Sequence, residues 1–516
     1  MTGEPTSTLT LSMIVKNEEK FLRGCLESVR DVVDEIVVVD TGSTDKTMDI
    51  AKEFDAKVFL FDWINDFSAA RNESLLHATG DWILYLDADE RLRSGQKKKL
   101  RQLLSQNNVH AFDVWIEGGA DLKDGCVAQR NAYPRLFRSH PSVRFEGRVH
   151  EQITPSLERI GWSIHPSDLV IDHLGYAQGF DTVTKKAQRN CEILKKQIED
   201  EPNNAYAMFQ YGNTLSILGK YDDAYRAVQQ SLTSQQLSSS VSASAFNLIT
   251  EMEIRNGQFV HAIDHATQSL TQASNQTLAR WFLAVAYTGC KDYSKALAVL
   301  GELKQLQRKR TQGTVPAFDV NVERWKILYQ QGICFEGLQE YEHAVEAFLA
   351  ALREEPELET VLPKLSNALF HAEPHAAWID SLKSVLQKYP SHLELTLLLA
   401  DQLWGQRRTQ QAFDLLQKCQ CEHVQDLRAY SKEIEWALTL KDNARITAAL
   451  QRAEAFHRQS YVLFKIAIDG SLRSGDLITT LSYLEWMLTS VPEQIPMQIL
   501  PKMKSLTTRL KQLSEA

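Results

Sequence analysis

The sequence predicts two folds in tandem: an α/β N-terminal domain with a mostly parallel sheet over residues 1–180, and an all-α array of helical repeats over 181–516. Three observations predict this. Short apolar runs alternate with helical stretches as far as about residue 86, the pattern of βαβ units. Strand signals stop near Phe180. Beyond that point a frame of small residue, aromatic and alanine recurs, as stacked helix pairs require.

The elements follow in order. Leu9–Val15 (LTLSMIV) is an apolar run, followed by a helical stretch over 18–32. Glu35–Asp40 (EIVVVD) is β-branched and ends at a turn cluster, with a helix over 45–54 behind it. A third strand over 57–61, a helix over 67–78 and a fourth strand over 81–86 complete the alternation, with right-handed crossovers expected. From about Gln96 the pattern changes. Lys97, Lys98 and Lys99 lie on a solvated helix face. Residues 111–171 read as shorter strands with turns at Glu117-Gly-Gly119, Tyr133-Pro134 and Phe145-Glu-Gly147.

In the helical part, Gly212…Gly219-Lys-Tyr221-Asp-Asp-Ala224 matches Gly332…Gln339-Glu-Tyr341-Glu-His-Ala344. The frame recurs at Ala284…Tyr293…Ala296 and, more weakly, at Gly257…Phe259…Ala262. The clearest copy continues through Phe348 and Ala351 to Pro356, and fainter ones lie at Ala400…Ala412 and Ala467…Pro492. The frame aromatics are spaced near a period of about 34 residues, and the frame resembles the tetratricopeptide repeat.

Composition narrows the function. Fifty-seven Lys+Arg against 66 Asp+Glu among 516 residues give −9, a balance that argues against general nucleic-acid binding. Seven scattered cysteines fit a reducing compartment better than a disulfide framework. Cys419-Gln-Cys421 lacks the second ligand pair that a zinc site needs. No basic, apolar leader and no run of about 18 apolar residues is present, so a soluble, cytoplasmic protein with no integral membrane segment is expected.

The chemistry concentrates in the first domain. Asp87-Ala88-Asp89 ends a strongly apolar strand, where parallel-sheet proteins place ligands. Residues 87 and 89 point the same way in extended chain, and two such carboxylates suit Mg²⁺ or Mn²⁺ with substrate phosphates. Asp40-Thr-Gly-Ser43-Thr-Asp45 is a strand–turn–helix junction. It reads either as a capped loop or as a nucleotide-binding edge on which Asp40 accepts from base or ribose. Val15-Lys-Asn17-Glu18 carries the same two readings. His150-Glu151-Gln-Ile-Thr154 is not a zinc-protease motif, since Thr154 stands where the second histidine is required.

Five segments together resemble glycosyltransferase family 2, whose members share the Rossmann-like GT-A fold: 12–18 (SMIVKNE), 38–47 (VVDTGSTDKT), 66–72 (DFSAARN), 80–90 (GDWILYLDADE) and 147–151 (GRVHE). The resemblance covers about residues 8–180. With the appended repeats and Asp172-His173-Leu-Gly-Tyr176, the chain is similar to the sublancin-type peptide S-glycosyltransferases. The resemblance implies Mn²⁺ or Mg²⁺ on Asp87 and Asp89, with His173 as a further ligand. It implies donor contacts from Met13, Val15, Asn17, Glu18, Asp40, Ser43, Asp45, Arg71, Asp87 and Ala88. It implies inversion by direct displacement, with Glu151 as base ahead of His150 and Asp66. Thr41 stands where many members carry a second acid.

The resulting expectation is a transferase that moves a sugar from a nucleotide sugar, most often a UDP-sugar, to a peptide, protein or glycan. The repeats recruit acceptor or partner, and a homodimer is compatible with them. The alternatives are an interaction scaffold with an inactive transferase-like domain, and a nucleotide transferase. The latter calls for a Gly-rich basic loop that residues 15–18 do not supply.

Overall fold

The computed structural model describes residues 7–118, 129–174, 180–310, 322–354, 358–373, 375–424, 426–456 and 461–515. Gly119, Cys126, Gly175, Tyr176, Pro356 and the first six residues, all used in the sequence reading, lie outside the described residues. The chain divides into two compact units, Met1–Glu323 and Arg324–Ala516.

The first unit opens with alternating β1 (Leu9–Val15), α1 (Leu22–Val29), β2 (Glu35–Asp40), α2 (Thr47–Glu53), β3 (Lys57–Leu60), α3 (Phe67–His77) and β4 (Trp82–Tyr85). Strands β3, β2, β1 and β4 lie side by side and parallel. The second half, β5 (Glu90–Leu92), α4 (Lys97–Leu104), β6 (Ala111–Gly118), β7 (Gln129–Arg138), α5 (Thr154–Arg159) and β8 (Ile164–His173), extends the same sheet. The strand order is β3-β2-β1-β4-β7-β6-β8-β5, with β7 antiparallel to β4 and β5 antiparallel to β8. The short strands expected over 111–171 are instead long, at 8, 10 and 10 residues. Several of their polar residues, among them Asp113, Asn131, Arg135 and His173, line one cavity. The three-residue β5 and the six-residue α5 carry no periodic signal to read.

Side-chain alternation makes the two faces. Leu9, Leu11, Met13 and Val15 of β1 pack with Leu84, Leu86 and the buried sides of α1 and α4. Ile83, Tyr85 and Phe137 point the other way, toward Phe145 and Leu157. Thr10 and Ser12 lie on that second face and are buried, so both need partners. Ser12 Oγ lies 2.6 Å from Ser74 Oγ of α3, and Thr10 Oγ1 donates to Glu35 at 2.5 Å.

Helices then take over. The first unit continues with α6 (Phe180–Asp200), α7 (Ala205–Ile217), α8 (Tyr221–Thr233), α9 (Ser239–Arg255), α10 (Phe259–Gln272), α11 (Thr277–Gly289) and α12 (Tyr293–Arg310). The second unit begins with α13 (Arg324–Gly337), α14 (Tyr341–Arg353), α15 (Leu358–His371) and α16 (Ala376–Lys388). It continues through α17 (Leu393–Gly405), α18 (Thr409–Glu422), α19 (Leu427–Leu440) and α20 (Asn443–Phe456), and ends in α21 (Tyr461–Arg473), α22 (Leu477–Ser490) and α23 (Leu500–Glu515). No described helix is long and apolar enough to cross a membrane.

The frame residues have structural roles. Tyr221, Phe259, Tyr293 and Tyr341 each begin the second helix of a pair. Ala224, Ala262, Ala296 and Ala344, three residues later, are fully buried where helices touch. The turn before each aromatic holds one residue at positive φ: Gly219, Gly257, Lys291 and Gln339. Arg407, Lys441 and Gly475 repeat this geometry along the tail, at 34-residue intervals. Arg407 and Gly475 fall within the two faint copies, and Lys441 marks a further pair, α19 and α20, that the sequence did not show. Glycine is required at helix crossings. A Cβ on Gly332 would lie 2.4 Å from the ring of Phe348, which is itself fully buried. Gly332→Val is therefore expected to destabilise the second unit by about 1–3 kcal/mol through overpacking, read as a lowered urea midpoint. An unchanged midpoint would show that the ring can yield.

Candidate active site

The C-terminal ends of β1, β2 and β4 share one sheet edge, and the loops that leave them are laced together. The backbone N–H of Asn17, itself at φ +56°, donates to Ser43 Oγ at 2.9 Å, and Asn17 Oδ1 accepts from the Thr44 N–H at 2.8 Å. Glu18 N–H donates to Thr47 Oγ1 at 2.7 Å. Asp45 accepts from the Thr47 and Glu19 N–H groups, at 3.0 and 3.2 Å. Asp40 is buried; its Oδ1 accepts from the N–H groups of Gly42 and Ser43 at 2.9 and 2.8 Å. Its Oδ2 is buried with no hydrogen-bond partner among the described residues.

These loops form one end of a cavity of about 1310 Å³. Val15, Asn17, Glu18, Arg71, Asp87, Ala88, Asp89, His150, Glu151 and His173 all line it. Met13, Asp40, Ser43, Asp45 and Asp66 do not form its wall. Met13 is fully buried in the sheet core, and Ser43 and Asp45 shape the loops instead. Asp66 is the N-cap of α3: its Oδ1 accepts from Ala69 N–H at 3.0 Å and from Ser68 Oγ at 2.7 Å. A carboxylate held there serves the helix, so its candidacy as a base finds no geometric support.

At the centre is Arg71, buried against the rings of Tyr85 and Phe145, with its Cζ 5.1 and 5.6 Å from the ring centres. Its Nε donates to Glu151 Oε1 at 2.5 Å and its Nη2 to Asp87 Oδ1 at 2.7 Å. Burial opposes the charge on Arg71, but Asp87 and Glu151 outweigh it and hold the guanidinium protonated. Burial likewise opposes ionisation of Asp87, yet Arg71 and Arg135 hold that carboxyl well below the usual carboxylate range. His173 Nε2 lies 3.2 Å from Asp89 Oδ2. Burial works against its imidazolium, and the bond to Asp89 raises its pKa overall. Glu18 is pushed up to about 7, first by burial and then by the charge of Asp89.

Among the described residues no group of three or more His, Cys, Asp or Glu side chains is arranged to hold a metal ion. The trio Asp87, Asp89 and His173 is thus not assembled as three converging ligands. Asp87 Oδ1 is turned to Arg71, and only Asp89 and His173 face each other.

Two buried residues were missed by the sequence reading. Arg135 Nη2 donates to Glu90 Oε1 at 2.7 Å, lies 3.6 Å from Asp87 Oδ2, and its Cζ stands 4.2 Å from the Tyr85 ring centre. The available signal was a charged residue inside the otherwise apolar Pro134-Arg135-Leu136-Phe137, since a buried charge is informative where a buried leucine is not. The repeat side of the cavity was not foreseen in detail either. Tyr206, Gln210 and Asn213 of α7, Asn247 and Glu251 of α9, and Phe282 of α11 continue its wall.

With the fold and this edge described, comparison with known proteins gives the class. Residues 10–153 match the family Glycosyl transferase family 2, and residues 194–226 match a Tetratricopeptide repeat. The chain belongs to glycosyltransferase family 2, with tetratricopeptide repeats in its helical part, and is a glycosyltransferase. It is 36% identical over 277 residues to the TPR repeat-containing protein Synpcc7942_0270 of Synechococcus elongatus, across 52% of this chain and 68% of that one. It is 31% identical over 229 residues to the SPbeta prophage-derived glycosyltransferase SunS of Bacillus subtilis, across 44% of this chain and 54% of that one. An uncharacterized glycosyltransferase of Rickettsia typhi is 33% identical over 130 residues, which is 24% of this chain and 44% of that protein. The match thus spans about half the length of these last two relatives.

Arg71→Met is expected to cost about 3 kcal/mol near neutral pH. This is the low end for breaking a buried pair, because the Asp87 side chain is 38% exposed and partly screened. A depressed carboxyl contributes stability above its unfolded pKa of about 4 and loses it as pH falls toward the folded value. The gap between wild type and variant should therefore narrow on acidification. Urea unfolding at about pH 7 and about pH 3.5 measures it, and a gap that widens in acid contradicts the assignment.

Proposed function

We propose that the enzyme is an inverting, metal-assisted transferase that moves a sugar from a UDP-type nucleotide sugar to a peptide or protein acceptor. One observation carries the reading: Arg71 ties Asp87, at the donor end of the cavity, to Glu151, at its repeat end. In this reading the nucleoside lies along Val15, Asn17 and Thr41, on the cavity wall beside the buried Asp40. The diphosphate lies toward Ala88 and Asp89.

The donor set fits a divalent cation. A carboxylate facing an imidazole, beside Asp87 and a Glu18 already pushed up to about 7 by burial and by its acidic neighbours, is a concentration of negative charge. Oxygen ligands with one imidazole suit Mn²⁺. Asp89 and His173, which face each other, would hold it. A cation held there would offset charge on the leaving diphosphate.

The chain's own residues do the rest. Glu151 takes the acceptor's proton. Its Oε1 is fixed by Arg71, and Oε2 makes no hydrogen bond among the described residues, so that oxygen is the one offered to the acceptor. His150 follows as the second choice of base. The backbone around it is held by Tyr206, whose hydroxyl donates to the His150 carbonyl at 3.1 Å and accepts from Gln152 Nε2 at 2.8 Å. The cavity then continues past Gln210, Asn213 and Asn247 to Phe282. This mixed polar and aromatic wall suits an extended peptide, whose backbone needs donors and acceptors along its length.

Thermal shift with a panel of nucleotide sugars tests the donor reading. One UDP-sugar is expected to raise the melting temperature with Mn²⁺ present, and Asp89→Ala to abolish that rise. No shift with any nucleotide sugar would refute it. Glu151→Gln should keep the shift and lower turnover by about 10²–10⁴-fold. Phe282→Ala should raise the KM for a peptide acceptor without altering the donor shift. An unchanged KM would remove the repeat wall from acceptor binding.

A further inference from the structure

We propose that Glu90 and Arg135 form a positioning pair that fixes the Asp87–Asp89 turn and its distance from His173. The inference rests on the reading above, in which that turn receives the donor diphosphate and its metal.

Glu90 joins three parts of the site. Its Oε2 accepts from the backbone N–H of Asp87 at 2.8 Å, and its Oε1 accepts from Arg135 Nη2 at 2.7 Å. Its own N–H closes the turn by donating to the Asp87 carbonyl at 3.0 Å. In the antiparallel β5–β8 ladder Glu90 pairs with His173, and the next N–H, of Leu174, donates to the Asp89 carbonyl at 2.9 Å. Arg135 is fixed in turn by the Tyr85 ring below it. Its side chain is 10% exposed and that of Glu90 2%.

The chemistry requires a carboxylate here. Both groups facing Glu90 are donors, a backbone N–H and a guanidinium, so both oxygens must accept. Glutamine offers one acceptor and one NH₂, and would set a donor against a donor. If volume alone mattered, two apolar side chains would serve as well or better, because a buried ion pair is at best near neutral for stability. The pair touches neither reacting atom; it acts through Asp87 and through the strand register that brings His173 to Asp89. It is a support of the kind that orients ligand-bearing groups.

The test uses the full chain, with Mn²⁺ alone as probe, read by electron paramagnetic resonance, together with steady-state kinetics. Glu90→Gln is expected to weaken Mn²⁺ binding by about 10–100-fold, the usual effect of losing an outer support. The double variant Glu90→Met with Arg135→Met removes both charges. It is expected to recover the melting temperature lost in the single variant but not the Mn²⁺ affinity. That split separates positioning from mere stability. A double variant that binds Mn²⁺ as tightly as wild type overturns the proposal. If wild type itself binds no Mn²⁺, the metal part of the function fails instead. The pair is then judged on the KM for the UDP-sugar: a rise in folded Glu90→Gln sustains it, and an unchanged KM overturns it.

Discussion

Two buried guanidinium groups on one face of the sheet constrain everything around them. Arg71 and Arg135 both stand over the ring of Tyr85, with little access to water. A buried charge without a partner costs several kcal/mol, so each must be met by carboxylates in good geometry. The result is a chain of five groups: Glu151, Arg71, Asp87, Arg135 and Glu90. They come from α3, the end of β4, β5, β7 and the loop before α5, far apart in sequence. Folding the sheet without bringing these five segments to one point would strand a charge.

The same chain explains why the donor end is so acidic. Two arginines answer three carboxylates, and Asp89 and Glu18 stand outside the chain. Their repulsion is visible in Glu18, whose carboxyl is raised to about 7 by burial first and by Asp89 next, with Lys186 pulling the other way. A surface that repels its own carboxylates favours a cationic ligand, and a polyanion only together with one. In the proposed reading, metal and diphosphate would therefore bind together. That is a statement about charge, and it holds whichever sugar the donor carries.

What could be read from the sequence divides along physical lines. Strands β1, β2 and β4 were legible because an apolar run bounded by turns has few other uses. Arg71, inside α3, was named only through the family resemblance, whereas Asp87 and Asp89 stood out because their spacing put charge at a strand end. Arg135 and Glu90 did not, since a charge inside an apolar strand gives no hint of the partner it meets across the sheet. The local role of Asp66 was not read either: a carboxylate at the start of a helix caps it, and the sequence does not announce that use. In the repeats, small residues at crossings were legible, but the left-handed turn positions were not. Lys291, Gln339, Arg407 and Lys441 occupy a conformation that glycine announces and these residues conceal.

The first repeats are part of how the candidate base is held, which bears on what a transferase domain means in this chain. His150 sits at φ +55°, a conformation that costs a non-glycine residue about 1–2 kcal/mol. Helix contacts offset it. The Arg148 N–H donates to Gln197 Oε1 of α6 at 3.0 Å, and Val149 packs on Ile193 and Leu194 of that helix. The Tyr206 hydroxyl of α7 takes the next step, bonding the His150 carbonyl and the Gln152 amide. Residues 148–152 are thereby gripped from the helical side, while Arg71 grips Glu151 from the sheet side. A chain cut where the sheet ends would keep the donor loops and lose the grip on Glu151. Donor binding and transfer should therefore separate at that cut, because the sheet edge alone builds one and the helices complete the other.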